Sequence, residues 1–380
     1  MRGSIRLGTI LGIGVYLHVT FLLLLAVFAW SEWHSSRQIS AVIGTVVFIL
    51  ALFGCVLLHE FGHALAARRY GIKTRDITML PIGGIARLER MPDDPIEELI
   101  VAVAGPAVNV VIAFVLFGVL IAIYGLQPIL GAVYPLQAMS GNMLLDLAKV
   151  NLALVLFNML PAFPMDGGRV VRALLATRMA YAKATAAAAR LGQGMAVLLA
   201  LDGFGWIDFI GGAGGNPVLV LIAIFVWIGA GQESGAAQLK STLGGIPVAD
   251  AMVTDFRTLA PDDPLTRVVD LILAGSQHDF PVAADGGQNV LGIVTRRDLM
   301  NALANGGPPK TVREIMRHPG ICDATDSLEV VFPRLQDDDC HMLPVMSRGR
   351  LVGLLTTENI GEYVMIASAL GGRKLERKSA

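Results

Sequence analysis

The chain has 380 residues, 54% of them hydrophobic and 16% charged, against roughly 25% charged in ordinary soluble domains, and its mean hydropathy is +0.61. A formal net charge of −1 gives no case for a nucleic-acid partner. Three cysteines, Cys55, Cys322 and Cys340, with no CxxC pair, argue against a disulfide framework.

The N-terminus, MRGSIRLGTILGIGVYLHVTF, has a basic start and an apolar run without a small-residue cleavage site, so Phe21 to Trp30 reads as part of a retained helix. Crossing about 30 Å of hydrocarbon takes a helix of about 20 apolar residues. On that measure six membrane helices are predicted, over residues 15–31, 41–68, 98–124, 144–161, 187–203 and 217–232. The fifth, within ATAAAARLGQGMAVLLALDGF, packs its small faces against neighbours or lies at the interface. Arg2 and Arg6 precede the first helix, a basic group runs from Arg68 to Arg90, and Arg169, Arg172, Arg178, Lys183 and Arg190 follow the fourth. The alternate loops are nearly free of Lys and Arg, so the positive-inside rule puts both termini in the cytoplasm of a multi-pass inner-membrane protein.

Between the second and third helices lies KTRDITMLPIGGIARLER, too short and too broken by Pro and Gly for a helix. Ile77, Met79, Ile82 and Ile85 predict strands about a Gly83–Gly84 turn; an ordinary cytoplasmic loop is the other reading. Open backbone at membrane depth must be paired or face water. From about Gly245 the sequence reads as soluble, with an internal repeat. ADAMVTDFRTLAPDD and QHDFPVAADGGQNVLGIVTRRDL recur as REIMRHPGICDATDS and CHMLPVMSRGRLVGLLTTENI. His278 matches His341, Pro281 matches Pro344, Gly292 matches Gly353 and Thr295 matches Thr356. Each copy predicts a strand, helix, strand, strand, helix unit, and the two bury each other's apolar faces.

The chemistry concentrates in LLHEFGHALAARR, from Leu57 to Arg69. On a helix His59 and His63 leave the same face, where both can bind one Zn²⁺. Glu60 then stands where it can take a proton from water. Ionisable groups inside a membrane are costly and mark function. A catalytic zinc wants a third protein ligand, and the candidate is Asp166, in NMLPAFPMDGGR at the cytoplasmic end of the fourth helix. The other reading of Asp166 is an N-cap for a helix from Val170 to Arg178. Cys55, one turn before His59, reads as packing.

These segments resemble the site-2 protease family of intramembrane zinc metalloproteases, in its bacterial and archaeal group with a C-terminal pair of CBS domains. HEFGH matches the family's HExxH, NMLPAFPMDGGR its Asn, Pro, Pro, Asp-Gly pattern with Met165 in place of the usual Leu, AGPAVN its third-helix motif and PIGGIARL its strand region. The resemblance implies a polytopic α-helical membrane protein of about six transmembrane helices with a short β-strand region, plus a cytosolic α/β CBS-domain pair. The domains expected are a transmembrane metalloprotease domain over 1–235, a linker over 236–245, CBS domains over 246–305 and 310–370, and a basic tail over 371–380. It further implies that His59, His63 and Asp166 bind one zinc and that Glu60 is the catalytic base. Asn158 and Asn109 follow as polar groups near the substrate carbonyl, where an amide can donate to a developing oxyanion; interhelical hydrogen bonding is their other reading.

The reaction expected is hydrolysis of a peptide bond in or next to a transmembrane helix of another membrane protein, as in regulated intramembrane proteolysis. That helix must locally unwind, and the strands with Gly83 and Gly84 would hold it by edge pairing. CBS pairs of this family bind adenosine nucleotides such as ATP or AMP through a Thr and an acid three residues later. Thr295 and Asp298 fit, whereas the second copy has Thr356 with Asn359. A structural pair, or one that joins two chains as a homodimer, is the alternative. A CBS-regulated transporter or an inactive membrane scaffold would use the same fold, but a transporter predicts polar residues spread over several helices rather than two half-sites.

Overall fold

The computed structural model describes residues 3–81, 83–92, 94–125, 141–207, 215–275, 277–284, 289–304, 311–318, 320–337 and 342–369. Ile82, Cys340, His341 and the tail from Arg373 lie outside them. Two compact units divide the chain, Met1–Ala237 and Gln238–Ala380.

The first unit begins with strands β1 (Ser4–Ile10) and β2 (Ile13–His18). The expected helix from residue 15 therefore starts later. Ile13 and Val15 alternate inward with a period of two, and the helix α1 (Val19–Ser36) opens at His18, whose ring accepts the Thr20 N–H at 3.3 Å. α2 (Ile39–Arg69) follows, 31 residues and about 46 Å long at 1.5 Å per residue. Phe21 of α1 packs edge-on against Phe53 of α2, ring centroids 4.4 Å apart.

β3 (Thr74–Leu80) and β4 (Gly83–Leu88) complete a sheet in the order β1-β2-β3-β4, with β2 and β3 parallel and the outer pairs antiparallel. Strands rather than a plain loop thus fill the segment after α2. The expected Gly83–Gly84 turn is displaced, however: the chain reverses between Leu80 and Gly83, and both glycines are strand residues, paired Leu80↔Gly83 and Met79↔Gly84. Ile13, Val15, Ile77 and Met79 bury one face of the sheet against Phe61 and Ala64 of α2. This packing fixes β4, an edge strand, beside the HExxH turn.

α3 (Pro95–Tyr124) has Asp94 as N-cap, its carboxylate accepting the Ile96 N–H at 2.7 Å. Pro95 opens the helix, and Glu97 and Glu98 sit in its first turn, where the helix dipole favours acids. α4 (Met143–Asn158), α5 (Asp166–Ala176), α6 (Tyr181–Gly203) and α7 (Pro217–Leu243) are the further helices of this unit among the described residues. Four of them, α2, α3, α6 and α7, are long and apolar enough to cross a membrane. α1 and α4 occupy the first and fourth predicted spans, but α1 has 18 residues with a polar last third and α4 only 16.

In the second unit the first repeat holds α8 (Val248–Ala251), α9 (Leu265–Ala274), β5 (Phe280–Ala284), β6 (Asn289–Val294) and α10 (Arg296–Ala304). The second holds a short 3₁₀ turn at Val312–Glu314, then β7 (Cys322–Asp323), α11 (Leu328–Asp337), β8 (Met342–Ser347), β9 (Arg350–Thr356) and α12 (Thr357–Ala369). The opening strand expected in the first copy is reduced to one bridge, Leu259 with Val282. Each copy's opening segment crosses into the other's core: Val248 packs with Leu328 and Leu355, and Val312 with Phe280 and Leu299. The matched glycines mark the crossings. A Cβ on Gly292 would lie 2.8 Å from the Arg317 carbonyl, and one on Gly353 3.0 Å from that of Val253. Cys322 lies in the second core, where burial pushes its thiol pKa up to about 12, so it is no reactive thiolate.

Candidate metal centre

α2 supplies His59 and His63 one turn apart, 5% and 4% exposed, with ring centroids 4.7 Å apart and the rings inclined at 80°. Their Nε2 atoms are 3.1 Å from one another. Asp166 brings Oδ2 to 3.2 Å from His59 Nε2 and 3.1 Å from His63 Nε2. The three atoms form a near-equilateral triangle. Ligands held at about 2.0–2.1 Å around a tetrahedral zinc stand about 3.3 Å apart, close to these separations.

The donor chemistry agrees. His63 Nδ1 lies 2.8 Å from the Val101 carbonyl of α3 and donates its proton there, which leaves the Nε2 lone pair facing the triangle. That lone pair meets a carboxylate oxygen, a second acceptor. Two acceptors held 3.1 Å apart in a buried site are satisfied by a cation between them, a metal ion or a shared proton. His59, His63 and Asp166 are the one group among the described residues with His, Cys or acidic ligand atoms clustered for a metal ion. Cys55 is buried one turn away and outside that group.

Asp166 sits in the first turn of α5, whose N-cap is Met165, and its carboxylate faces the histidines rather than capping a helix. The glycines after it explain the motif locally. A Cβ on Gly167 would lie 2.2 Å from the Leu160 carbonyl, and one on Gly168 2.6 Å from the Phe163 nitrogen, so only glycine lets α5 start this close to the preceding loop.

Glu60 is held from the sheet side. Its Oε2 accepts the Ala86 N–H of β4 at 3.1 Å, and a Cβ on Gly84 would stand 2.5 Å from Glu60 Cγ. Gly84 is therefore small because the glutamate lies across it; a Cβ on Gly83 would meet nothing within 4 Å.

Gly105 of α3, Val101 and Ala86 are the site residues that sequence reasoning missed. A Cβ on Gly105 would come within 2.2 Å of His63 Nε2 and 2.7 Å of His59 Nε2. Glycine within a helix costs about 1 kcal/mol relative to alanine, so Gly105 in AGPAVN was the available signal of a close approach. Gly105→Ala is expected to lower zinc affinity at least about tenfold, on the scale of other groups that position ligands. Chelator competition on the purified protein measures it, and unchanged affinity would show that α3 stands farther from the histidines.

Asn109 follows Gly105 by one turn. It is 1% exposed, and neither its Oδ1 nor its Nδ2 meets a hydrogen-bond partner among the described residues. Asn158 closes α4, half-buried, ahead of the loop that leads to Asp166. In the repeat unit, Thr295 Oγ1 donates to Asp298 Oδ2 at 2.7 Å and accepts the Asp298 N–H at 3.1 Å, a reciprocal cap for α10. Arg317 Nε donates to the other Asp298 oxygen at 2.6 Å. Thr356 and Asn359 repeat the same cap on α12.

Comparison with known proteins gives this arrangement a family. The family model for Peptidase family M50 matches residues 47–144 and 127–201, and that for the CBS domain matches 248–305 and 312–365. A zinc metalloprotease of Methanocaldococcus jannaschii is 31% identical over 95% of this chain and 96% of its own. A protein assigned as the zinc metalloprotease Rip3 of Mycobacterium tuberculosis is 30% identical over 83% of this chain and 80% of its own. The solved structure of a site-2 protease from Methanocaldococcus jannaschii is 36% identical and covers 61% of this chain and 95% of that one, with a TM-score of 0.42. The chain belongs to peptidase family M50, the site-2 proteases, and is a zinc metalloprotease with a C-terminal CBS domain pair.

Proposed function

We propose that the chain hydrolyses a peptide bond in or next to a transmembrane helix of another membrane protein, with His59, His63 and Asp166 as its zinc ligands and Glu60 as its general base. The observation that carries this reading is the convergence of the three ligand atoms within 3.2 Å of one another, with Asp166 on α5 lying 107 and 103 residues from His59 and His63 on α2. A zinc ion held by His59, His63 and Asp166 would supply a Lewis acid for the scissile carbonyl and a bound water with a pKa of about 7. Glu60 takes the proton of the attacking water, with its other oxygen steadied by the Ala86 N–H. Asn109, with an unpartnered buried amide, and Asn158 supply donors for the substrate carbonyl. The unwound substrate pairs along the outer edge of β4, unpaired among the described residues, which runs past Glu60.

The Lys and Arg distribution supports a multi-pass inner-membrane placement with both termini cytoplasmic. In proteoliposomes with a helical membrane reporter, cleavage should stop with a zinc chelator and return with added zinc. Cleavage that persists in the chelator rejects the proposal.

An adenosine nucleotide at the CBS pair is the regulator in this reading. Thr295 and Asp298 offer the hydroxyl and carboxylate for a ribose, and Arg317 beside them offers a cation for phosphate. Calorimetry of the full chain should show heat with ATP or AMP, and weaker binding after Thr295→Ala. No heat with either nucleotide leaves the pair a structural or dimerising module.

A further inference from the structure

Arg172 counts in the sequence as one of the cytoplasmic basic residues, yet it is 1% exposed, the largest of the fully buried side chains among the described residues. Its Nε donates to Glu98 Oε1 of α3 at 2.7 Å, and its Nη1 pairs with Glu233 Oε1 of α7. The guanidinium carbon lies 5.0 Å from the ring centroids of both Phe163 and Tyr181. A planar fork is needed to serve two carboxylates and two rings at once, which arginine supplies and lysine does not.

Placement gives this cluster its consequence. Arg172 lies on α5, the helix that presents Asp166, and Glu98 lies on α3 one turn before Val101, whose carbonyl orients His63. Asp166 and Arg172 are six residues apart, about 240° around the helix at 100° per residue. Bonds at two such different azimuths stop a helix from turning about its axis. The stakes are geometric: rotation by about 20° carries a carboxylate some 6 Å from the axis through about 2 Å, the length of a metal–ligand bond. α5 has only 11 residues and no side-chain N-cap.

We propose that Arg172 is a positioning residue of the metal centre, clamping the helix of Asp166 to the helix that orients His63 so that the two half-sites close on one ion. The inference rests on His59, His63 and Asp166 being the zinc ligands. Zinc affinity by chelator competition and the cobalt absorption spectrum, on the metal-stripped full chain in detergent, test it together with the melting temperature of the metal-free protein.

Two variants are needed. Arg172→Lys keeps the charge without the fork; Glu98→Gln with Arg172→Met removes the two deeply buried charges and leaves the partly exposed Glu233 carboxylate to water. The expected result is zinc affinity lowered about 10–100-fold in the double variant, less in Arg172→Lys, with altered cobalt bands and a metal-free melting temperature close to that of the unaltered chain. Unchanged affinity in both variants, or a loss seen only in step with unfolding of the metal-free protein, overturns the proposal. His59→Ala in the same assay separates the two readings. If it binds zinc normally, the ligand assignment fails; if it loses zinc while both Arg172 variants keep it, the clamp alone fails.

Discussion

Glu60→Gln is expected to lower the cleavage rate by about 10²–10⁴, the range general-base catalysis contributes, while zinc content stays near one ion per chain. The substitution preserves shape. A glutamine side-chain carbonyl can still accept the Ala86 N–H that now reaches Glu60 Oε2 at 3.1 Å, and it still fits the space that Gly84 leaves. What it removes is the basic oxygen, so the effect should fall on kcat with KM little changed. Rate measurements on a cleavable membrane reporter, paired with metal analysis, check this. Cleavage at the unaltered rate would remove Glu60 from the chemistry; loss of zinc would make it a structural support instead.

Asp166→Ala should cost still more, because it removes a ligand rather than a base. Two imidazoles one turn apart would remain, with His63 Nε2 still turned inward by its bond to Val101. Zinc affinity is expected to fall by more than the 10–100-fold typical of groups that merely support ligands, and activity at ordinary zinc concentrations to vanish. Asp166→Asn is the companion: it keeps the shape but loses the negative charge, so its zinc affinity should lie between the two. Chelator competition measures both. If Asp166→Ala bound zinc as tightly as the unaltered chain, the third ligand would have to come from elsewhere.

Half of this centre was legible in the sequence and half was not. The i, i+4 spacing of His59 and His63 puts two imidazoles on one helical face whatever surrounds them, so the α2 half-site follows from local geometry. Nothing local says that Asp166 meets them. That depends on how α3 and α5 pack, and only the order of motifs, through a family resemblance, pointed there. Residues 13–18 were hidden because an apolar strand running straight into an apolar helix shows no break in hydrophobicity, and the period of two at Ile13 and Val15 is short. Gly83–Gly84 was misplaced for a different reason. Paired glycines ordinarily signal a turn, but Gly84 is required by the long-range neighbour Glu60. Arg172 was absorbed into the count of cytoplasmic charges because burial is not written in residue type; only packing against Glu98, Phe163 and Tyr181 distinguishes it. In the repeats, matched Gly292 and Gly353 were visible in sequence, while their cause, a crossing backbone at each, was not.

X-ray absorption at the zinc edge of the purified protein tests most directly whether α2 and α5 share one ion. The account predicts two imidazole nitrogens and oxygen ligands at about 2.0–2.2 Å, with one imidazole lost in His63→Ala and the carboxylate oxygen lost in Asp166→Ala. A sulfur scatterer at about 2.3 Å, which would bring in Cys55, or a spectrum unchanged by Asp166→Ala, would contradict it.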